Sequence, residues 1–445
     1  MKNLRTTITA IAVIGMIITP GIGSAQSYFS LILPQEFGPE TAGYVSQGAT
    51  GVANSVGYVN LWTNPAALVA GEANYNVSVS STLRRFTEDR SFPAVDLFED
   101  KVTDNMYASN GRWYPGYAGG AVANFGGFSV ASSYTPVWDM RYNYREEVRS
   151  SLGSGVYNRD PVAGYHNIDR NGQIYAASLG GNVSLVEKLS VGVAYHLLMA
   201  DDLSNEYSVN VLREDDPALS AASDTAFASD IGLDGTPGLL TAGLAYDINW
   251  RFRVGLNYRS GVTLTQTGLA SVPGFLNRVA LPEYERSAEL QTIETQIPGK
   301  IALGIRGKMQ NPIATSAQVE VHYTDWSNYQ VTYVGAPDSA NTMPENFQET
   351  LEYHLGVEHL LLGKIPFRFG FIYAESPLGR EFEQTKFTIG GSYLWGNVTL
   401  DFGAIFNSVT YDYVDIFPAD AETGTTLESV NESNVRATFT LSYAL

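Results

Sequence analysis

The stretch 386–409, KFTIGGSYLWGNVTLDFGAIFNSV, has the alternation of a β-hairpin. One face carries Phe387, Ile389, Gly391, Tyr393 and Trp395, and the other carries the small or hydroxyl residues Thr388, Gly390 and Ser392. Gly396-Asn397 suits a two-residue hairpin loop, and the alternation then resumes as far as Phe406. An apolar face opposite a face that carries Thr, Ser and Asp401 predicts strands with lipid on one side and a wet lumen on the other.

The same pattern recurs around short turns at 185–188, 249–251, 310–312 and 362–365, with long polar stretches between the hairpins. It predicts an all-β protein, a transmembrane 14-stranded antiparallel β-barrel with an N-terminal plug segment inside the lumen. The last strand ends on Leu445, and the even count returns it to the periplasmic side. The predicted strands are 73–85, 115–125, 127–138, 172–184, 189–200, 238–248, 251–264, 287–309, 314–326, 350–361, 366–376, 383–395, 398–411 and 432–445. The predicted outer loops are 86–114, 139–171, 201–237, 265–286, 327–349 and 412–431.

The first 25 residues are typical of a signal peptide. Lys2 and Arg5 precede an apolar run over 8–18, and Gly23-Ser24-Ala25 forms a small-residue cleavage site. A membrane anchor is the alternative, but this run is shorter than the roughly 20 residues that a helical span needs. We therefore expect a signal peptide at 1–25, a plug at 26–72 and a barrel at 73–445.

Composition excludes several classes of protein. The chain has no cysteine, which excludes disulfides and zinc-thiolate sites. Without Lys2 and Arg5, 25 of the 27 basic residues remain against 46 acidic ones, so the surface repels nucleic acid. Charged residues make up 16% of the chain, whereas about a quarter is usual in soluble proteins.

Residues 26–72 lack strand alternation, are rich in Gly and Ala and contain Asn64-Pro65-Ala66. A periplasmic tail is one interpretation of this segment. We prefer a plug, because fourteen strands enclose more space than their own side chains can fill.

Several short motifs resemble those of FadL-like long-chain fatty-acid and hydrocarbon transporters. In the plug, 47–53 (QGATGVA) leads into 64–68 (NPAAL); later come 297–300 (IPGK) with 303–304 (LG), 323–327 (YTDWS), and 367–370 (FRFG) with Tyr373 and 376–377 (SP). The resemblance implies passive uptake of hydrophobic molecules across an outer membrane. Ligand would bind a groove between the third and fourth outer loops, enter a pocket that contains the mature N-terminus and leave sideways through a gap in the wall.

The groove would be built from the loops 201–237 and 265–286, whose apolar side chains offer a surface to an apolar ligand. In the alternative, these side chains pack the two loops onto each other. The apolar mature N-terminus would reach the pocket. The candidate residues are Leu212, Leu219, Phe227, Phe275 and Leu276 in the loops, and Phe29, Leu31 and Ile32 at the N-terminus.

Strand parity turns several basic side chains inward, of which Arg306, Arg368 and Arg436 are candidates for binding a ligand carboxylate. The alternative is that they pair with acidic groups across the lumen. Pro115 and Pro136 fall at nearly the same height on strands two and three if the turn lies at Gly126-Gly127. Since proline cannot donate to a ladder, they predict a weakened strand pair and a candidate lateral gap, unless they only mark strand ends.

Three histidines, His196, His322 and His354, also face inward, near Glu320, Asp325 and Ser316. No motif arranges them as a hydrolase relay, so we expect a protein that is not an enzyme. The sequence also shows no metal-ligand spacing and implies no cofactor.

The favoured function is therefore a channel for hydrophobic solutes in the outer membrane of a Gram-negative-type bacterium. An alternative is a FadL-like barrel that acts as an interaction or shuttle protein in a secretion system. A porin for polar solutes is disfavoured because the plug would obstruct it. The expected partners are outer-membrane lipid, a hydrophobic small molecule and the barrel assembly machinery.

Overall fold

A computed structural model describes residues 35–36, 40–69, 74–95, 98, 100–149, 162–212, 227–269, 290–334, 347–363, 365–414, 416 and 427–445. Fourteen strands of this part form a wall. They are β1 (Tyr75–Val95), β2 (Lys101–Asn124), β3 (Phe128–Asp139), β4 (Val162–Val186), β5 (Leu189–Val211), β6 (Gly238–Asp247), β7 (Phe252–Arg259), β8 (Lys300–Lys308), β9 (Ser316–Asp325), β10 (Glu349–Leu361), β11 (Ile365–Ala374), β12 (Gln384–Trp395), β13 (Val398–Val414) and β14 (Leu427–Ala444).

Each wall strand pairs antiparallel with the next, and β1 pairs with β14 from Asn76↔Ala444 to Ser91↔Ser429. The sheet therefore closes into a barrel, which confirms the prediction of fourteen strands. Closure matters because an open strand edge would leave backbone groups unpaired in lipid.

The two faces of the wall differ as the alternation predicts. On β12, Phe387, Ile389 and Tyr393 are exposed on the outside, whereas Thr388 and Ser392 are buried inside. Exposed aromatic side chains form two outer belts, as in membrane barrels. The belt at the short-turn end contains Tyr75, Phe125, Phe128, Trp250, Phe252 and Trp395, and the belt toward the long-loop end contains Tyr117, Tyr134, Tyr195, Tyr258, Tyr323 and Tyr353.

Much of the predicted outer loops is strand. The β1–β2 hairpin runs through most of 86–114, and Tyr142–Arg149 pairs with the start of β4 inside the predicted loop 139–171. The loop prediction was wrong here because both faces of these extensions carry polar residues, so the apolar alternation disappears while the ladder continues.

Two predicted strands, 251–264 and 287–309, are each broken in the structure. β7 ends at Arg259 and β8 begins at Lys300, and the chain beyond forms a separate hairpin, Val262–Leu269 with Leu290–Ile297. Pro298 cannot donate to a ladder, and a Cβ on Gly261 would lie 2.7 Å from the Ile297 carbonyl oxygen. Together with Phe227–Leu233 and Gln330–Tyr333 this hairpin forms a four-stranded outer sheet.

Residues 40–69, before β1, carry short helices. They are α1 (Ala42–Ser46), α2 (Asn60–Thr63) and the 3₁₀ turns Gly57–Val59 and Pro65–Ala67, and the pair Gln35–Glu36 adds to β3 as a short strand. No helix in the described ranges is long and apolar enough to cross a membrane.

Candidate functional site in the lumen

Residues 40–69, the lumenal segment, are mostly buried and contact strands on opposite sides of the barrel. The Asn64 side-chain amide donates to the carbonyl oxygens of Val52 (2.6 Å) and Leu244 on β6 (2.9 Å). Its own oxygen accepts from the Ala66 N–H, and Asn182 on β4 donates to the Ala66 carbonyl (3.1 Å). The box Asn64-Pro65-Ala66 therefore fixes the segment to the wall between β4 and β7.

The opposite side of the lumenal segment is held by other strands. The N–H of Gly48 donates to Thr388 Oγ1 on β12 (2.9 Å), and that of Val52 donates to Glu320 Oε1 on β9 (2.7 Å). The Ala42 N–H donates to Thr440 Oγ1 on β14 (2.8 Å). Polar side chains on the inner face of the wall thus satisfy backbone donors of the segment, as buried N–H groups require.

Inward-facing glycines let the lumenal segment approach the wall at backbone distance. A Cβ on Gly370 would lie 2.3 Å from the Gly48 nitrogen, and one on Gly255 would lie 2.1 Å from the Val52 oxygen. Any side chain there would displace the segment. The same close approach occurs at Gly120, Gly192, Gly243, Gly356, Gly390 and Gly403. Sequence reasoning missed this belt, although inward parity of the glycines on successive strands is a signal that could have found it.

Apolar side chains fill one side of the lumen toward the long-loop end. Trp62 and Leu61 of the lumenal segment pack there with inward residues of β2 to β6 and of the outer sheet, although such inward positions were expected to be small or charged. This lumenal apolar cluster consists of Tyr58, Val59, Leu61, Trp62, Leu68, Val122, Ala131, Val137, Trp138, Ile174, Ala176, Ala194, Leu198, Leu239, Val262, Leu264 and Ile297.

The strand pair β2–β3 is interrupted beside this cluster. Its ladder covers only Gly119↔Tyr134 to Asn124↔Ser129, so Pro115 and Pro136 both lie beyond it. A bulge follows Pro136 on β3, and the edge of β3 that β2 leaves is paired at Trp138 and Asp139 with Glu36 and Gln35.

Arg141 bridges the interruption. Its guanidinium forms a bidentate pair with the buried Asp139 carboxylate (2.8 and 2.7 Å) and donates to the Pro115 carbonyl oxygen on β2 (3.2 Å). The Asp139 carboxylate also accepts from Gln173 Nε2 on β4 (3.2 Å). The sequence did not single out Arg141, because its role depends on the bulge.

Glu36 connects this region with the far side of the barrel. Its backbone pairs with β3 at Trp138, whereas its carboxylate pairs with Arg259 on β7 and with Lys300 Nζ on β8 (2.9 Å). Burial alone would raise the pKa of Glu36, but Arg259 and Lys300 lower it to about 2.

The three candidate arginines differ in their partners. Arg368 pairs with Glu358 (2.7 Å) and Asp401 (2.9 Å), and Arg436 pairs with Glu40 of the lumenal segment. Arg306 makes no ion pair within 4 Å among the described residues, and its buried Nε has no hydrogen-bond partner there. Arg306 and Arg368 line a polar cavity of about 350 Å³ between the segment and the short-turn end of the wall.

Most candidates of the groove and of the N-terminus lie outside the described residues: Leu219, Phe275 and Leu276 in the loops, and Phe29, Leu31 and Ile32 at the N-terminus. Leu212 is exposed just after β5. Phe227 begins a strand of the outer sheet.

Residues 157–403, more than half of the chain, match a protein-family model. The family is described as "Outer membrane protein transport protein (OMPP1/FadL/TodX)". The chain belongs to this family. It is an outer-membrane β-barrel of a transporter family for hydrophobic compounds.

Solved structures with the same fold cover almost the whole chain. A Pseudomonas aeruginosa FadL homologue matches with a TM-score of 0.65 at 13% identity, covering 93% of this chain and 100% of that one. The P. putida toluene transporter TodX matches at 0.58 and 14% identity (92% and 99% covered). The Ralstonia pickettii toluene transporter TbuX matches at 0.55 and 17% identity (92% and 98% covered). A search of curated protein sequences finds no match.

Proposed function

We propose that this barrel takes up hydrophobic compounds, such as long-chain fatty acids or aromatic hydrocarbons, passively across the outer membrane. The observation that carries the proposal is the lumenal apolar cluster, which lies directly beside an interrupted strand pair. Membership of the family, and the solved toluene transporters with the same fold, agree with it.

A hydrophobic molecule has a suitable environment only in part of this lumen. Toward the long-loop end it would contact apolar side chains, whose contact stabilises it by roughly 25 cal/mol per Å² removed from water. Toward the short-turn end it would meet the lumenal segment, which we propose is a plug, and then the polar cavity at Arg306 and Arg368. Axial passage is therefore unfavourable for such a ligand.

The lateral route is favourable because the wall is interrupted at the height of the cluster. Val137 and Trp138 belong to the cluster and directly follow Pro136. We propose that ligand leaves between β2 and β3 into the lipid, with Pro115 and Pro136 at the edges of the gap. Arg141 and the short strand Gln35–Glu36 occupy this region and would have to move.

Two buried donors in this region suit a ligand with an acceptor atom. Trp62 Nε1 and the Tyr114 hydroxyl have no hydrogen-bond partner among the described residues. A buried donor without a partner costs about 1–3 kcal/mol, which a ligand oxygen would recover. Arg306 is the best candidate for a later carboxylate contact, since Arg368 and Arg436 already hold ion pairs.

Proteoliposomes test the function. A fluorescent long-chain fatty acid and toluene should equilibrate faster into vesicles that contain the folded barrel than into empty ones, whereas a disaccharide should not. A variant without residues 28–33, the apolar mature N-terminus, should transport more slowly if that stretch forms part of the pocket. Rates equal to those of empty vesicles would exclude the channel and leave the secretion-system interaction as the reading to test.

A further inference from the structure

Two Glu-x-His pairs face each other across neighbouring strands. Glu320 and His322 lie on β9, Glu352 and His354 lie on β10, and the register places His322 opposite Glu352 and Glu320 opposite His354. All four side chains point into the lumen, where Glu320, His322 and His354 are buried. The rings of His322 and His354 stack with centroids 4.3 Å apart.

The hydrogen bond of His354 fixes which of its nitrogens is free. Nδ1 lies 2.7 Å from the Gly48 carbonyl oxygen, which can only accept, so Nδ1 carries a proton. In the neutral ring Nε2 then has a lone pair, and it lies 3.4 Å from Glu352 Oε2, which is also an acceptor. Two acceptors that face each other need either a proton or a metal ion between them.

The surrounding contacts engage one carboxylate oxygen of each glutamate. Glu352 uses Oε1 to accept from Lys300 Nζ (3.1 Å), which leaves Oε2 toward His354. Glu320 uses Oε1 for the Val52 N–H, and its Oε2 lies 3.2 Å from His322 Nε2. Such outer contacts of imidazole and carboxylate groups are what orient the ligands of protein-bound metals.

We propose that His322, Glu352 and His354 bind a divalent transition-metal ion of the Zn²⁺ type. One ligand atom from each lies within 4.8 Å of the others. Small side-chain rotations would bring these atoms to the roughly 2.0–2.2 Å metal distances that nitrogen and carboxylate ligands adopt. Two imidazoles with one carboxylate favour Zn²⁺ over Mg²⁺ or Ca²⁺, which prefer oxygen ligands. The positive charge of Lys300 is also paired with Glu36. The carboxylates of Glu320 and Glu352 therefore keep the cluster negatively charged.

The proposed ion would also hold the lumenal segment. Gly48 has a left-handed backbone (φ 64°) and lies against the wall so closely that a Cβ there would be 2.2 Å from the Leu355 oxygen. Because His354 would bind the ion through Nε2 and Gly48 through Nδ1, metal binding would strengthen the contact between wall and segment. This site is independent of whether the barrel transports hydrophobic compounds.

The test uses the full chain in detergent with an affinity tag that contains no histidine. After treatment with a chelator, Zn²⁺ is titrated by calorimetry, and Co²⁺ is titrated as a spectroscopic probe whose visible absorption reports nitrogen ligation and low coordination number. We expect one ion per chain. His354→Asn and Glu352→Gln should each weaken binding at least about tenfold. Zn²⁺ should also slow protease cleavage within 40–69 in the wild type but not in these variants.

His196→Asn is the matched control. His196 is a buried inward histidine whose two ring nitrogens contact Ser178 Oγ (2.7 Å) and Thr241 Oγ1 (2.9 Å), so its loss should leave metal binding unchanged. Heat-modifiable migration on gels shows whether each variant is folded. If a histidine variant does not fold, Glu352→Gln alone tests the metal site. Binding that is not stoichiometric, or that survives substitution of His354 and Glu352, would overturn the site.

Discussion

Asn64 shows how much of the segment's attachment depends on one side chain. It is fully buried and satisfies two carbonyl oxygens and one N–H, all of which would lose a partner in Asn64→Ala. Each unsatisfied buried group costs about 1–3 kcal/mol. We therefore expect protease cleavage within 40–69 to accelerate at least about tenfold, measured by mass spectrometry on the folded barrel. Asn397→Ala, in an exposed short turn, is the control, and equal cleavage in the two variants would contradict this role.

Arg141 is the residue that we expect to hold the interrupted strand pair closed. The double variant Asp139→Asn/Arg141→Gln removes the bidentate pair and the contact with Pro115. Both residues are changed because a single unpaired charge left buried would itself cost about 3–5 kcal/mol. The double variant should speed fatty-acid uptake into vesicles several-fold. Asp247→Asn/Arg253→Gln removes another bidentate pair, which is more exposed and lies near the short-turn end, and should not change the uptake rate. Unchanged uptake in the first double variant would show that Arg141 does not control the gap.

The attachment of the short strand Gln35–Glu36 to the barrel should depend on pH. The pKa of Glu36 is lowered to about 2. Its ion pairs therefore stabilise the attachment of Gln35–Glu36 to the wall fully above the ordinary pKa of glutamate, and this stabilisation is lost as the pH falls through about 2. Pepsin should cleave Glu36→Gln within 40–69 faster than the wild type at pH 4, and the difference should disappear near pH 2. Glu187→Gln, in an exposed turn, should match the wild type. A difference that does not depend on pH would contradict the ion-pair account.

Strands were predictable from sequence where one face meets lipid and the other meets the lumen. All fourteen wall strands satisfy that condition over their central part, and the glycine turns fix the hairpin register, as Gly396-Asn397 does between β12 and β13. The extensions of β1 and β2 carry polar residues on both faces, so their pattern contains no signal. The interruption of β2–β3 was anticipated from Pro115 and Pro136 because proline removes a ladder donor, and the lateral gap that it suggests stays a prediction.

The site residues were less predictable because they depend on register between distant strands. Parity places Glu320, His322, Glu352 and His354 inward, but only the β9–β10 register shows that the two pairs face each other. Likewise, Arg306 and Arg368 have the same parity, and only the structure shows that Arg368 is neutralised by Glu358 and Asp401. Arg141 follows a bulge, where parity fails altogether.

The whole molecule combines an apolar half-lumen, a buried segment seated on glycines and a polar cavity below it. We propose that this arrangement makes the wall a more favourable exit for a hydrophobic ligand than the axis of the barrel. The family membership establishes the transporter class, and the lateral route between β2 and β3 is our proposal.

Cross-linking across the gap tests lateral exit between β2 and β3. The chain has no cysteine, so Tyr117→Cys/Pro136→Cys provides one reactive pair across the interruption, and Ala121→Cys/Ser132→Cys provides a control pair within the intact ladder. Both are reacted with a cleavable bismaleimide, and fatty-acid uptake is measured before and after cleavage of the linker. We predict that the cross-link stops uptake in the first pair, that cleavage restores it and that the control pair transports normally throughout. Undiminished uptake through the cross-linked gap would contradict lateral exit between β2 and β3.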